Sequence, residues 1–263
     1  MNRILILSLA LISFFATKAK CDRFIFNGDT SYIDSKSPLE QYPGIAALQL
    51  KLTGFGATCF DCNCFKYNAE WSIINNELYL TNIYGCPGGN QNLKADINSL
   101  FNVPDGKVKA VWVTDSLWVP KGKPFAHFDM MVSLYKTETF ISVINGKIAL
   151  IKEYNYPDAE ESVYAKNDAA LRNFIYSNIN WDKIPNLKGE IKRVFISTLT
   201  GTSGKPESIE ILRGPDEEIY RNEAIRVISM MPWSIFYRHG KVYNENWTFA
   251  VVFSEESRKK YAR

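Results

Sequence analysis

Residues 223–253, EAIRVISMMPWSIFYRHGKVYNENWTFAVVF, constrain the fold more than any other part of the chain. They read as a helix that stops at Pro232, a loop, and one apolar strand from 246 to 253. Proline has no N–H to donate and clashes with the preceding turn, so the helix cannot run on. Side chains alternate across a strand, which puts Trp247, Phe249, Val251 and Phe253 on one face and Thr248, Ala250 and Val252 on the other. No hairpin partner lies beside this strand. Its backbone must therefore pair with a distant part of the same chain or with another protein.

The text before it supplies candidates. Asn167 is placed to cap a helix whose Leu171, Phe174, Ile175, Asn178 and Ile179 share a face. GEIKRVFISTLTGTSGKPESIEILRG reads as a hairpin turning through 200–204. A second helix, 217–230, carries Tyr220, Ala224, Val227, Ile228 and Met231 on one stripe, with Glu217 and Glu218 at its positive end. The order helix, strand, strand, helix, strand predicts an α+β domain over 167–255, two helices on a three-stranded antiparallel sheet. On the first strand, Val194 and Ile196 point opposite to Ile191 and Phe195. A strand apolar on both sides implies that the second face is covered by the rest of the chain or by a second copy in a homodimer.

Residues 23–156 have a different period. AEWSIINNELYLTNI and FISVINGKIALIKEY place Asn75-Asn76 and Asn145-Gly146 between β-rich runs, both two-residue hairpin signals. VKAVWVTDSLWV reads as a third hairpin turning at 114–116. The hairpins are unevenly spaced, which argues against a propeller or solenoid. This region is expected to be a mostly antiparallel all-β domain, joined to the C-terminal one by a linker at 157–166, PDAEESVYAK.

In that order, FIYSNINW, GEIKRVFIS, TGTSGKPESIEILRG, EAIRVISMMPW and GKVYNENWTFAVVF resemble the C-terminal domain of TonB-type energy transducers, over roughly 168–253. The resemblance implies a cell-envelope protein engaged in transmembrane transport. Its last strand would be a sheet edge to which a segment of an outer-membrane receptor adds by strand pairing, through Trp247, Thr248, Phe249, Ala250, Val251 and Val252. Three features depart from the family pattern. SIFYRHG stands where a Pro-Gly usually follows the tryptophan, and Arg193 stands at an inward apolar position. The 11 prolines form no extended spacer of the kind that crosses a periplasm. The alternative is an envelope lipoprotein or accessory module that uses this fold only as a scaffold.

Residues 1–19 carry Arg3 and then the uncharged run 4–17, which is the h-region of a signal peptide and short for a membrane span. Cleavage is expected after Ala19, with lipidation at Cys21 as the rival. Either route exports the chain to the periplasm or the outer membrane. Without Arg3 and Lys18, 29 basic residues face 28 acidic ones, so no basic stripe offers itself to nucleic acid. Cys59, Cys62, Cys64 and Cys86 form C-x2-C-x-C and a distant fourth thiol. Four thiolates would suit zinc, but this spacing is not that of paired knuckles. An oxidising compartment favours disulfides, and free buried thiols are the other alternative. His127 and His239 have no acidic or serine partner in a recognisable pattern, and no cofactor, metal or catalytic set is expected.

Overall fold

The computed structural model describes residues 22–52, 67–85, 93–128 and 132–262. The N-terminal segment to Cys21, together with Cys59, Cys62, Cys64 and Cys86, lies outside the described residues. The chain is α+β, with mostly antiparallel sheets.

The first part contains β1 (Arg23–Phe26), β2 (Asp29–Tyr32), α1 (Ile45–Lys51), β3 (Tyr67–Ile74), β4 (Glu77–Gly85), α2 (Ile97–Phe101), β5 (Val108–Lys109), β6 (Asp115–Lys121), β7 (Ala126–Phe128), β8 (Val132–Leu134), β9 (Thr137–Ile144) and β10 (Lys147–Asn155). The main sheet runs β2-β1-β3-β4-β10-β9-β6, with β5 added on β4. Its pairs are antiparallel except for β1 with β3. The two asparagine turns form as read: Asn75 and Asn76 have φ of 51° and 64°, and Asn145 and Gly146 have 49° and 76°. The turn tips dock on each other, through Leu78 N–H to the Gly146 carbonyl and Ile148 N–H to the Asn76 carbonyl (2.8 and 3.0 Å). A Cβ on Gly146 would sit 2.6 Å from the Ala110 carbonyl oxygen, so only glycine fits there.

The hairpin expected at 114–116 does not form. β5 pairs with β4 and β6 pairs with β9, because the intervening Ala110 and Val113 are fully buried and turn the chain into the core instead. The two ends of the sheet curl back together. Asp34 N–H donates to the Trp118 carbonyl (2.7 Å), and the Ser31 hydroxyl bonds the Pro120 carbonyl. The result is a nearly closed barrel around Phe24, Trp71, Leu80, Leu117 and Ile141.

At the chain's first described residue, Asp22 is buried, and its carboxylate accepts from Ala69 N–H, Trp71 Nε1–H and the Ser37 hydroxyl (3.0, 2.7 and 2.5 Å). Burial pushes this carboxyl above its ordinary value, and the three donors oppose that shift.

The second part holds α3 (Val163–Lys166), α4 (Asp168–Asn178), β11 (Lys192–Leu199), β12 (Glu207–Arg213), α5 (Glu218–Ser229), β13 (Tyr237–Arg238), β14 (Lys241–Val242), β15 (Asn246–Phe253) and α6 (Glu255–Tyr261). Asn167 caps α4, accepting from Ala170 N–H at 3.0 Å. The lone strand finds its partner across the chain, since the sheet order is β12-β11-β15. Helices α4 and α5 cover one face, burying Ile175, Val194, Ile196, Val227, Ile228, Phe249 and Val251.

The other face is not covered by the barrel. Arg193 and Ala250 are exposed there, as are Ile191 at 50% and Leu212 at 55%. Arg193 thus points to solvent, opposite to the inward position its place in the family pattern implies, and strains nothing. Residues 157–166, read as a linker, are pinned in place. Glu160 and Ile235 exchange backbone hydrogen bonds (3.0 and 2.9 Å), and Ser162 N–H donates to the Ser234 hydroxyl (2.8 Å).

Candidate functional site

Strand β15 pairs with β11 in an unbroken register of eight residues, from Lys192 opposite Phe253 to Leu199 opposite Asn246. Among the described residues it pairs with nothing on its other side. Of the six residues proposed for partner contact, Phe249 and Val251 are core side chains. Trp247 packs edge-on against Trp233, with ring centroids 5.0 Å apart. Phe249 and Val251 have only backbone to offer a visitor, while Trp247 is half-buried. Thr248 and Ala250 are exposed and Val252 is half-buried, all on the solvent face.

The Val252 amide faces the Tyr176 hydroxyl of α4, so its N–H points away from β11. Antiparallel pairing alternates inward and outward backbone groups. The N–H and C=O of Thr248 and Ala250 therefore lie along the same outer border, on which the Val252 N–H is already engaged by Tyr176. At one end of that border the Asn246 side chain accepts from the Ser197 hydroxyl (2.7 Å), and at the other α6 folds back against α4.

The opposite border of this sheet is built differently. β12 pairs with β11 through two register shifts and carries Glu207, Glu210 and Arg213. Bulges and charge are how exposed sheet edges resist pairing with other chains. The segment NWTFAVVF has neither.

Between the barrel and the second part lies a polar joint that the sequence did not display. SIFYRHG, the segment departing from the family pattern, forms the β13–β14 hairpin with His239 and Gly240 at its tip, at φ of 52° and 73°. Arg238 grips both oxygens of Asp34 (3.1 Å each), and His239 Nε2 lies 3.1 Å from Asp34 Oδ2, a residue 205 positions away. The His239 ring stacks on Trp118 at 4.9 Å. Its backbone N–H and the Tyr156 hydroxyl both donate to buried Glu138 (2.7 Å each), and Gly240 N–H donates to Tyr156 (2.8 Å). His239 thus does have an acidic partner, contrary to the sequence reading, because sequence distance hides a contact that folding creates. His127 likewise meets Ser133, Nδ1 to Oγ at 3.1 Å, across the β7–β8 hairpin.

Burial works to raise the Asp34 carboxyl, but hydrogen bonds and charge from His239 and Arg238 outweigh it and hold the group below its ordinary value. Burial, with the Glu138 carboxylate beside it, pushes the Tyr156 phenol well above its usual range.

Ligand atoms of Asp34, Glu138 and His239 lie within 4.8 Å of one another, close enough for a cation. However, Asp34 is already held by a guanidinium on both oxygens, and Glu138 by two protein donors. A metal would have to displace them, so the cluster is better suited to holding the hairpin down. The one advance signal was the Gly-centred turn between β-type residues in FYRHGKVY.

No protein-family model, no curated protein and no solved structure matches this chain.

Proposed function

We propose that this chain is an exported cell-envelope protein, periplasmic or associated with the outer membrane. Its C-terminal part is TonB-like and binds a protein partner by β-strand addition along the free border of β15. The partner class is an outer-membrane receptor or another component of transmembrane transport. The observation that carries this reading is the contrast between the two sheet borders: β12 is bulged and charged, while β15 is regular, uncharged and open at Thr248 and Ala250. Two residues with outward N–H and C=O groups offer about four backbone hydrogen bonds, each of net worth about 0.5–1.5 kcal/mol.

The test is an NMR titration of the isotope-labelled chain with short extended peptides from candidate receptors. Shifts are expected at the amides of Thr248, Ala250 and Val252, with β12 unaffected. If no amide from 246 to 253 moves, strand addition is wrong.

A second reading is an envelope lipoprotein or accessory module in which the TonB-like fold is a scaffold. One observation favours it: Arg238 and His239 clamp the C-terminal part to the barrel at Asp34, whereas a transducer's terminal domain works at the end of a spacer. Incorporation of labelled palmitate that disappears in Cys21→Ala would decide for the lipoprotein.

A further inference from the structure

The sheet face that the barrel leaves uncovered carries a recess at the end where β11 begins and β12 ends. Its volume is about 430 Å³, within the usual range for a small-molecule site. Ile191, Phe195 and Pro215 give it apolar walls. All three can be reached from solvent, since Ile191 is exposed and the other two are only half-buried.

Two arginines stand beside these walls. Side chains two apart on a strand share a face, so Arg193 projects next to Phe195. Arg213 arrives there by a bulge. Ile196 pairs with Ile211, but Phe195 pairs with Arg213 rather than Leu212, because the register shifts between the two pairs. The cation thereby takes the position opposite Phe195, and Leu212 becomes the extra residue of the bulge. Bulges re-aim side chains in this way and recur beside active sites.

Both guanidiniums are exposed, and among the described residues neither has an ion-pair or hydrogen-bond partner. The third cation of the recess differs: Lys192 is held by Glu190 and Glu217 at 2.9 and 3.0 Å. Among the described residues no carboxylate lines the recess. Like charges on neighbouring strands gain nothing from each other. The planar fork of a guanidinium, in contrast, matches a carboxylate or phosphate with two parallel hydrogen bonds.

From this arrangement we infer that the recess binds a small molecule with an apolar ring and one oxyanion group, a carboxylate or a phosphate. The ring lies against Ile191, Phe195 and Pro215, and the oxyanion sits between Arg193 and Arg213. The site lies on the face of the sheet and not along the border of β15, so it is independent of strand addition.

The test is an NMR titration of the isotope-labelled full chain with three probes that share one ring system: 1-naphthoate, 1-naphthyl phosphate and uncharged 1-naphthamide. Saturable shifts at the amides of 191–195 and 213–214 are expected for both acids, and the tighter of the two identifies the head group. The amide should bind about five- to tenfold more weakly, the worth of two partly exposed charge pairs. Arg193→Gln combined with Arg213→Gln should bring both acids down to the affinity of the amide. Both positions are exposed, so the double variant should fold as the wild type does. An absence of saturable shifts overturns the inference, as would be seen if a second copy of the chain already covered this face. So does equal affinity for acids and amide, and so does acid binding that survives both substitutions. Shifts induced at 246–253 by a receptor peptide report on strand addition, so either proposal can fail without the other.

Discussion

Gly240→Ala is the sharpest probe of the joint between the two halves. Two separate costs act there. Gly240 has φ of +73°, a left-handed conformation that costs an L-residue about 1–2 kcal/mol. An added Cβ would also sit 2.8 Å from Tyr154 Cε1 and 3.2 Å from Trp118 Cη2. Neither ring is free to retreat. Trp118 is packed on Phe140, Tyr154 and His239 at 5.0, 5.3 and 4.9 Å. Overpacking of this kind costs about 1–3 kcal/mol. The sum for Gly240→Ala is about 2–5 kcal/mol.

Gly28→Ala provides the matched control. Gly28 has φ of +84° with nothing within 4 Å of its added Cβ, so only the backbone cost of about 1–2 kcal/mol applies. Urea unfolding of both variants at neutral pH, followed by tryptophan fluorescence, separates the two costs. Equal losses in the two variants would show that no steric cost exists at Gly240, and the packed joint described above would be refuted.

Further outcomes follow from named groups. The Asp34 carboxyl has a depressed folded pKa, so its contribution is full above the unfolded value of about 4 and is lost as pH falls through the folded value. Unfolding free energies measured from pH 6 to pH 2.5 should fall more steeply for the wild type than for Asp34→Asn, and parallel curves would contradict this. Ala250→Pro removes an N–H that faces outward, so the sheet should lose no more than about 1 kcal/mol while an added peptide loses at least about tenfold in affinity. Phe249→Pro removes an N–H bonded to β11 and should cost about 3 kcal/mol or more. A lower melting temperature for Ala250→Pro than for Phe249→Pro would mean that the parity of β15 is the reverse, and equal values would refute the alternation. Glu223 is 8% exposed, accepts from Asn180 N–H at 2.6 Å and pairs with Arg226. Glu223→Ala strands that amide and should cost about 1–3 kcal/mol, as read by thermal unfolding.

The α+β region was legible because its signals are local. Asn167 as a cap, the 220/224/227/228/231 stripe and the alternation of 246–253 each depend on neighbours within one or two turns, and all three reappear in the structure. The Asn75-Asn76 and Asn145-Gly146 turns were legible for the same reason. What stayed hidden was decided at long range. Lys109 and Asp115 sit six residues apart on strands that pair elsewhere, and local text cannot say which partner wins. Helix α6 carries the same kind of local signal in SEESRKKYA, where Ser254 caps it by accepting from Ser257 N–H.

The hairpin tip at His239 and Gly240 stands only a few residues upstream of β15. A ligand strand lying alongside β15 would pull along the strand axis, so tension would load its backbone bonds together in shear rather than peeling them one by one. That load would next reach the Arg238–Asp34 grip and pass into the barrel wall at β2 and β6. Under the proposed strand addition, β15 would act as a hook and the barrel as its mounting plate, so that a pull on one would be a pull on the other.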